Sequence, residues 1–153
     1  MALHKEDHSM LVHQILNAKG DRSVITVSPE TSVAAVAEIL AERRIGGVVV
    51  SQKGQGADGI LSERDIVRAL AVRGGACLNE TVANMMTRNP TCCAPDDSAD
   101  SVLQRMTDGR FRHMPVVENG VLVGIVTIGD VVKARLKELD MEKTALQGMI
   151  MGH

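Results

Sequence analysis

The sequence predicts an α/β (α+β) fold built from two successive β-α-β-β-α units, and three observations carry that prediction. The stretches Gly59-Ile60-Leu61-Ser62-Glu63-Arg64-Asp65 and Gly124-Ile125-Val126-Thr127-Ile128-Gly129-Asp130 share one pattern: Gly, two apolar residues, a hydroxyl residue, two free positions, Asp. Their flanks repeat as well. A shift of 66 lays Pro29 on Pro95, and lays Val33, Val36, Ala37 and Leu40 on Ala99, Val102, Leu103 and Met106. Both apolar sets keep the i, i+3, i+4, i+7 spacing of one helix face. Finally, each motif follows a valine-rich strand and opens an apolar-periodic helix. A chance motif would not bring its flanks with it, so the chain is read as an internal duplication.

Taken in order, residues 8–18 form a short amphipathic helix closed by Gly20. Val24 to Val27 is a strand, cut by Ser28-Pro29. Thr31 or Ser32 caps a helix that runs to about Arg44 and ends at Gly46-Gly47. Val48 to Ser51 is an apolar strand, and a glycine-rich turn at 53–58 leads into another at 59–61. A helix from Ser62 to about Arg73 ends at Gly74-Gly75, and a short helix after Asn79 holds Met85-Met86. The pattern then recurs: strand near 91–93, helix 97–108, strand 114–118, an Asn119-Gly120 hairpin turn, strand 121–126. A last helix opens at Thr127 and runs past Met141. The organisation is a lead-in (1–20), first repeat (21–73), linker with a short helix (74–88), second repeat (89–140) and tail (141–153).

Each repeat alone would bury too little surface for comfortable stability, whereas 153 residues suit two halves packed together. No apolar run approaches the length of a membrane span, and no basic-then-apolar leader opens the chain. A formal charge of −2 argues against bulk nucleic-acid binding, so any anion site is local. One Phe and no Tyr or Trp weaken a base-stacking reading. Cys77, Cys92 and Cys93 form no disulfide framework and read as small thiols in a reducing cytoplasm. His4, His8 and His13 have helix spacing, but no Cys or carboxylate set completes a metal site.

The element order, the duplication, the twice-occurring motif, Arg112-His113-Met114-Pro115-Val116-Val117 and the Met85-Met86-Thr87 lead-in together resemble the cystathionine β-synthase (CBS) domain family. Over about residues 10–140 the chain is similar to a stand-alone pair of such domains, a Bateman module. The resemblance implies two repeats related by a pseudo-twofold, with two clefts that bind an adenosine ligand: AMP, ADP or ATP, and in some members NAD or S-adenosylmethionine. It implies that the motif Asp accepts hydrogen bonds from the ribose diol, and that the hydroxyl residue and helix N–H groups face a phosphate. One cleft would then use Thr127, Asp130, Arg112 and His113, with Ser23, Ile25, Ile45 and Gly46 around the base. The other would use Ser62, Arg64 and Asp65, with Thr91, Cys93 and Phe111.

Arg112-His113 corresponds to Gly46-Gly47, so the Asp130 cleft is expected to hold a monophosphate more tightly than the Asp65 cleft. The same hydroxyl-x-x-Asp spacing also fits helix N-capping, and the two roles can coexist. Phe111 fits core packing as well as ligand contact. The expected function is a cytoplasmic, non-enzymatic nucleotide sensor without catalytic residues. It would form a homodimer through apolar faces of helices 31–44 and 97–108 and signal to a further protein. The rivals are a structural dimerisation module with degenerate clefts, or a small enzyme using Cys93, His113 and Asp130.

Overall fold

The computed structural model describes residues 10–20 and 24–150. Its elements are α1 (Val12–Lys19), β1 (Thr26–Val27), α2 (Val33–Arg43), β2 (Gly47–Val50), β3 (Gly59–Ser62), α3 (Glu63–Arg73), a 3-10 helix (Gly75–Asn79), α4 (Val82–Met85), β4 (Thr87–Arg88), α5 (Ala99–Gly109), β5 (His113–Glu118), β6 (Val121–Thr127) and α6 (Ile128–Ile150). The mixed α/β class holds. The chain forms two compact units. One comprises residues 24–92 and 117–124; the other holds α1, Cys93–Val116 and the chain from Ile125 onward.

In the first unit β1 runs parallel to β2, β2 antiparallel to β3, and β3 antiparallel to β4. Val48, Val50 and Leu61 are buried at 0–1% exposure, and Val33, Val36, Leu40, Ile66 and Val82 pack around them; Val49, on the other face of β2, is buried as well. Each such side chain contributes roughly 1.5–3 kcal/mol by leaving water, so an almost purely aliphatic sheet can hold the unit together. β5 and β6 form a hairpin whose tip, residues 117–124, belongs to the unit of residues 24–92. Its turn puts Asn119 and Gly120 at φ +53 and +79, the positive values that a two-residue primed turn requires.

The repeat is also visible in how the lead-in helices dock. Val82 N–H donates to Thr31 O, Ala83 N–H to Pro29 O, and Val33 N–H to Glu80 O. Their counterparts are Val12 to Asp97, His13 to Pro95 and Ala99 to Met10. Each lead-in therefore seals the N-terminus of a repeat helix: α4 that of α2, α1 that of α5.

Several expected elements are corrected. The strand near 91–93 is absent; Cys93 makes only a single parallel bridge to Val116, matching the Val27–Val50 pair of the first repeat. The strand in this region is instead β4. Residues 24–27 contribute only Thr26–Val27 to a strand. α2 ends where expected, at Arg43, because Arg44 takes the left-handed C-cap at φ +55 and its backbone N–H donates to Leu40 O. Arg110 caps α5 in the same way at φ +59. α2 and α5 expose no large apolar side chain among the described residues. Such side chains lie on α3, β6 and α6.

Candidate functional site

Both motifs bring their Asp to the start of the following helix. Ser62 ends β3 and caps α3: Asp65 N–H donates to Ser62 Oγ at 3.3 Å, while Asp65 Oδ2 accepts from Ser62 N–H at 2.9 Å and Ser62 Oγ–H at 3.0 Å. Thr127 and Asp130 repeat this reciprocal box, with Asp130 N–H to Thr127 Oγ1 at 3.2 Å and Thr127 N–H to Asp130 Oδ2 at 2.9 Å. The arrangement satisfies N–H groups that a helix start leaves without partners. It also fixes each carboxylate by one oxygen. Oδ1 of both aspartates accepts no hydrogen bond among the described residues.

The motif glycine has a steric origin in the first repeat. A Cβ on Gly59 would lie 2.5 Å from Met86 Sδ and 3.0 Å from Thr87 O, because β4 runs close beside it.

The two aspartates then differ. Lys19, the last residue of α1, places Nζ 2.9 Å from Asp130 Oδ2 and 3.1 Å from Ile125 O. Burial alone would push the Asp130 carboxyl up, but the hydrogen bond and charge of Lys19 and the Thr127 N–H outweigh it and hold it below its ordinary value. In the first repeat the chain after α4 adds β4 to the sheet, and no cation pairs with Asp65 among the described residues. Lys19 and Asp130 also border a cavity of about 80 Å³ between α1 and α6, lined further by Ile15, Ala134, Lys133 and Lys137.

Arg112 is exposed, and its carbonyl accepts from Ile128 N–H at 2.9 Å, fixing it at the first residue of α6. Gly46 O does the same for Glu63 N–H at 2.8 Å. His113 is half-buried as the first residue of β5, and Arg64 is exposed in the first turn of α3. Cys93 is buried, with its N–H donating to Pro115 O at 3.0 Å, and Thr91 is exposed. The Phe111 ring packs on Gly109, where a Cβ would meet Phe111 Cε2 at 2.2 Å.

One unit thus gathers Thr127, Asp130, Arg112, His113, Cys93 and Phe111; the other holds Ile25, Ile45, Gly46, Ser62, Arg64, Asp65 and Thr91. Ser23, His4 and His8 lie outside the described residues. Lys19 is the charged neighbour that sequence reading missed, since nothing local links it to an Asp 111 positions later. Among the described residues no His, Cys, Asp and Glu cluster could hold a metal, and no helix is long and apolar enough to cross a membrane.

Comparison with known proteins places this geometry. The family model for the CBS domain matches twice, at residues 20–72 and 82–137. The chain is 30% identical over 151 residues to the mitochondrial CBS domain-containing protein CBSX3 of Arabidopsis thaliana, covering 94% of this chain and 73% of that one. It spans only 23% of another Arabidopsis relative, CBSCBSPB2, at 33% identity over 81% of this chain. Among solved structures, the CBS-domain containing protein ATU1752 of Agrobacterium tumefaciens aligns with a TM-score of 0.78 and 44% identity, over 82% of this chain and 99% of that one. The CBS domain pair of protein MJ0100, solved in complex with 5′-methylthioadenosine and S-adenosyl-L-methionine, aligns with a TM-score of 0.72 and 28% identity, over 82% and 94% of the two chains.

Proposed function

Because the chain belongs to the CBS domain family, with two copies of the domain in tandem, we propose that it is a non-enzymatic regulatory module that binds an adenosine-containing ligand through Asp130 and Asp65. One observation carries this reading. Each carboxylate is anchored by Oδ2 to its own helix start while Oδ1 is left without a partner among the described residues. An anchored acceptor is preorganised for a diol, and capping and ligand binding then coexist. The adenosine ligands of the MJ0100 pair support the ligand class.

Thr127 and Ser62 would face a phosphate with the helix N–H groups, as anions favour that end of a helix. Arg112 and Lys19 give the Asp130 side two cations where the Asp65 side has Arg64. AMP would therefore bind more tightly in the unit that holds Asp130, Thr127, Arg112 and His113 than in the one that holds Asp65, Ser62 and Arg64. ADP, ATP, NAD and S-adenosylmethionine are the competing ligands. Binding would be read by a partner protein through a shift between packing states, which requires unequal affinity for the two. The free thiols are in keeping with a reducing compartment such as the cytoplasm.

Calorimetry with AMP, ATP, NAD and S-adenosylmethionine tests this on the wild type, Asp130→Asn and Asp65→Asn. The expected result is a larger loss of AMP affinity for Asp130→Asn; equal losses would remove the asymmetry. The capping boxes favour a second reading, a structural module whose carboxylates serve only their own helices. Absence of heat with every ligand would establish that one.

A further inference from the structure

The cavity between α1 and α6 has a chemistry that neither motif uses. Lys133, Ala134 and Lys137 follow Asp130 at i+3, i+4 and i+7 on one face of α6. Opposite them, Ile15, Ala18 and Lys19 share one face of α1, and the two faces line about 80 Å³. Ile15 and Ala134 are buried, whereas Lys133 and Lys137 are exposed. An apolar interior therefore meets a charged opening.

The charge is positive. Three lysines line the cavity with one aspartate, and Lys19 already neutralises Asp130 at 2.9 Å. Lys133 and Lys137 pair with no carboxylate among the described residues. Glu138, next along the helix, is occupied by Met10 N–H and Arg135. One turn apart, the two ammonium groups repel each other. Lysine stems readily cover apolar surface, but that role does not call for two like charges at one opening. At the corresponding positions α3 has Arg68 and Val72, so the fold does not require a basic pair there.

We propose that this cavity binds a small monocarboxylate with a short unbranched chain, its head between Lys133 and Lys137 and its chain against Ile15, Ala18 and Ala134. Charge-assisted hydrogen bonds from both ammonium groups fix the head. A water takes about 30 Å³ of liquid, so a cavity of about 80 Å³ takes about three non-hydrogen atoms. That suits the chain of butyrate and excludes a nucleotide. The site stands whether or not the motif aspartates hold an adenosine ligand.

Methyl NMR of the full chain at fixed ionic strength tests this, with acetate, propionate, butyrate, butyramide and inorganic phosphate as probes. Butyrate is expected to give saturable shifts at Ile15, Ala18 and Ala134, with affinity rising about fourfold per methylene from acetate to butyrate. Butyramide and phosphate are each expected to bind about tenfold more weakly than butyrate. Lys133→Gln/Lys137→Gln is expected to lose butyrate to the same degree with an unchanged unfolding transition. Ala18→Leu, which fills the cavity from an exposed position, is expected to lose it with both lysines in place. The absence of a saturable butyrate shift overturns the proposal, as does butyramide or phosphate binding as tightly as butyrate. Undiminished affinity in the lysine variant overturns it too, as do shifts confined to methyl groups outside the cavity.

Discussion

Lys19 decides the electrostatics of one motif. Its ammonium and the Asp130 carboxylate are 29% and 22% exposed, so the pair is partly screened and is worth about 0.2–1 kcal/mol at neutral pH. The carboxyl titrates below its ordinary 3.8 in the folded chain, so its contribution is complete above that value and disappears as pH falls through the depressed one. In Lys19→Met, burial acts without the opposing cation, so the variant loses stability at neutral pH and its difference from the wild type closes along the acid limb. Denaturant titrations from acid to neutral pH would show it; an unchanged curve would mean that the Thr127 N–H alone holds the carboxylate. A second residue-scale effect explains the arginine caps. Arg44 and Arg110 occupy the left-handed position that glycine usually fills. In α5 the glycine is used one residue earlier, where Gly109 makes room for Phe111; the first repeat has Arg43 and Ile45 at those places. Gly109→Ala is expected to cost about 1–3 kcal/mol by overpacking, and Phe111→Ile in the same chain to restore most of it. A double-mutant cycle of thermal unfolding measures the coupling.

At the scale of elements, what was legible depended on local pattern. The aliphatic rows at helix and strand spacing located α2, α3, α5, β2, β3 and β6 to within a residue or two, and Asn119-Gly120 located the hairpin. The motif hydroxyls announced two helix caps, which formed as expected. Partners distant in sequence were not legible. Nothing in Thr87-Arg88 says that it will pair with Gly59 and Ile60, and Thr91–Cys93 has β-forming residues yet reaches only one bridge. Glu138 shows the same limit, reading as one more solvated charge on α6. It is 1% exposed, with Oε2 accepting from Met10 N–H at 2.6 Å and Oε1 from Arg135. This carboxylate ties the entry to α1 onto α6. Glu138→Ala should strand Arg135 and the Met10 N–H in a buried site, at roughly 3–5 kcal/mol. An unfolding transition shifted by less than a tenth of the total stability would show that water takes over both partners.

For the molecule as a whole, duplication supplies two similar motifs, and the unequal lead-ins break their equivalence. α1 is eight residues long and brings Lys19 to its motif; α4 is four residues long and turns into β4 beside Gly59. The proposed ligand response can then be apportioned by mass action. A ligand that binds only the folded chain stabilises it by RT ln(1 + [L]/Kd), about 2.7 kcal/mol at a hundredfold excess over Kd. In a chain of this length that corresponds to a rise in Tm of roughly 5–10 °C. Asp65→Asn should keep most of the rise given by AMP, Asp130→Asn should lose most of it, and the double variant all of it. Losing the box carboxylates also weakens the helix starts by about 0.5–2 kcal/mol each, so the ligand-dependent increment, not the absolute Tm, is the quantity to compare. An external dye must report the transition, since the chain has no Trp or Tyr. An undiminished increment in the double variant would move adenosine recognition away from both motifs and leave the two carboxylates as helix caps.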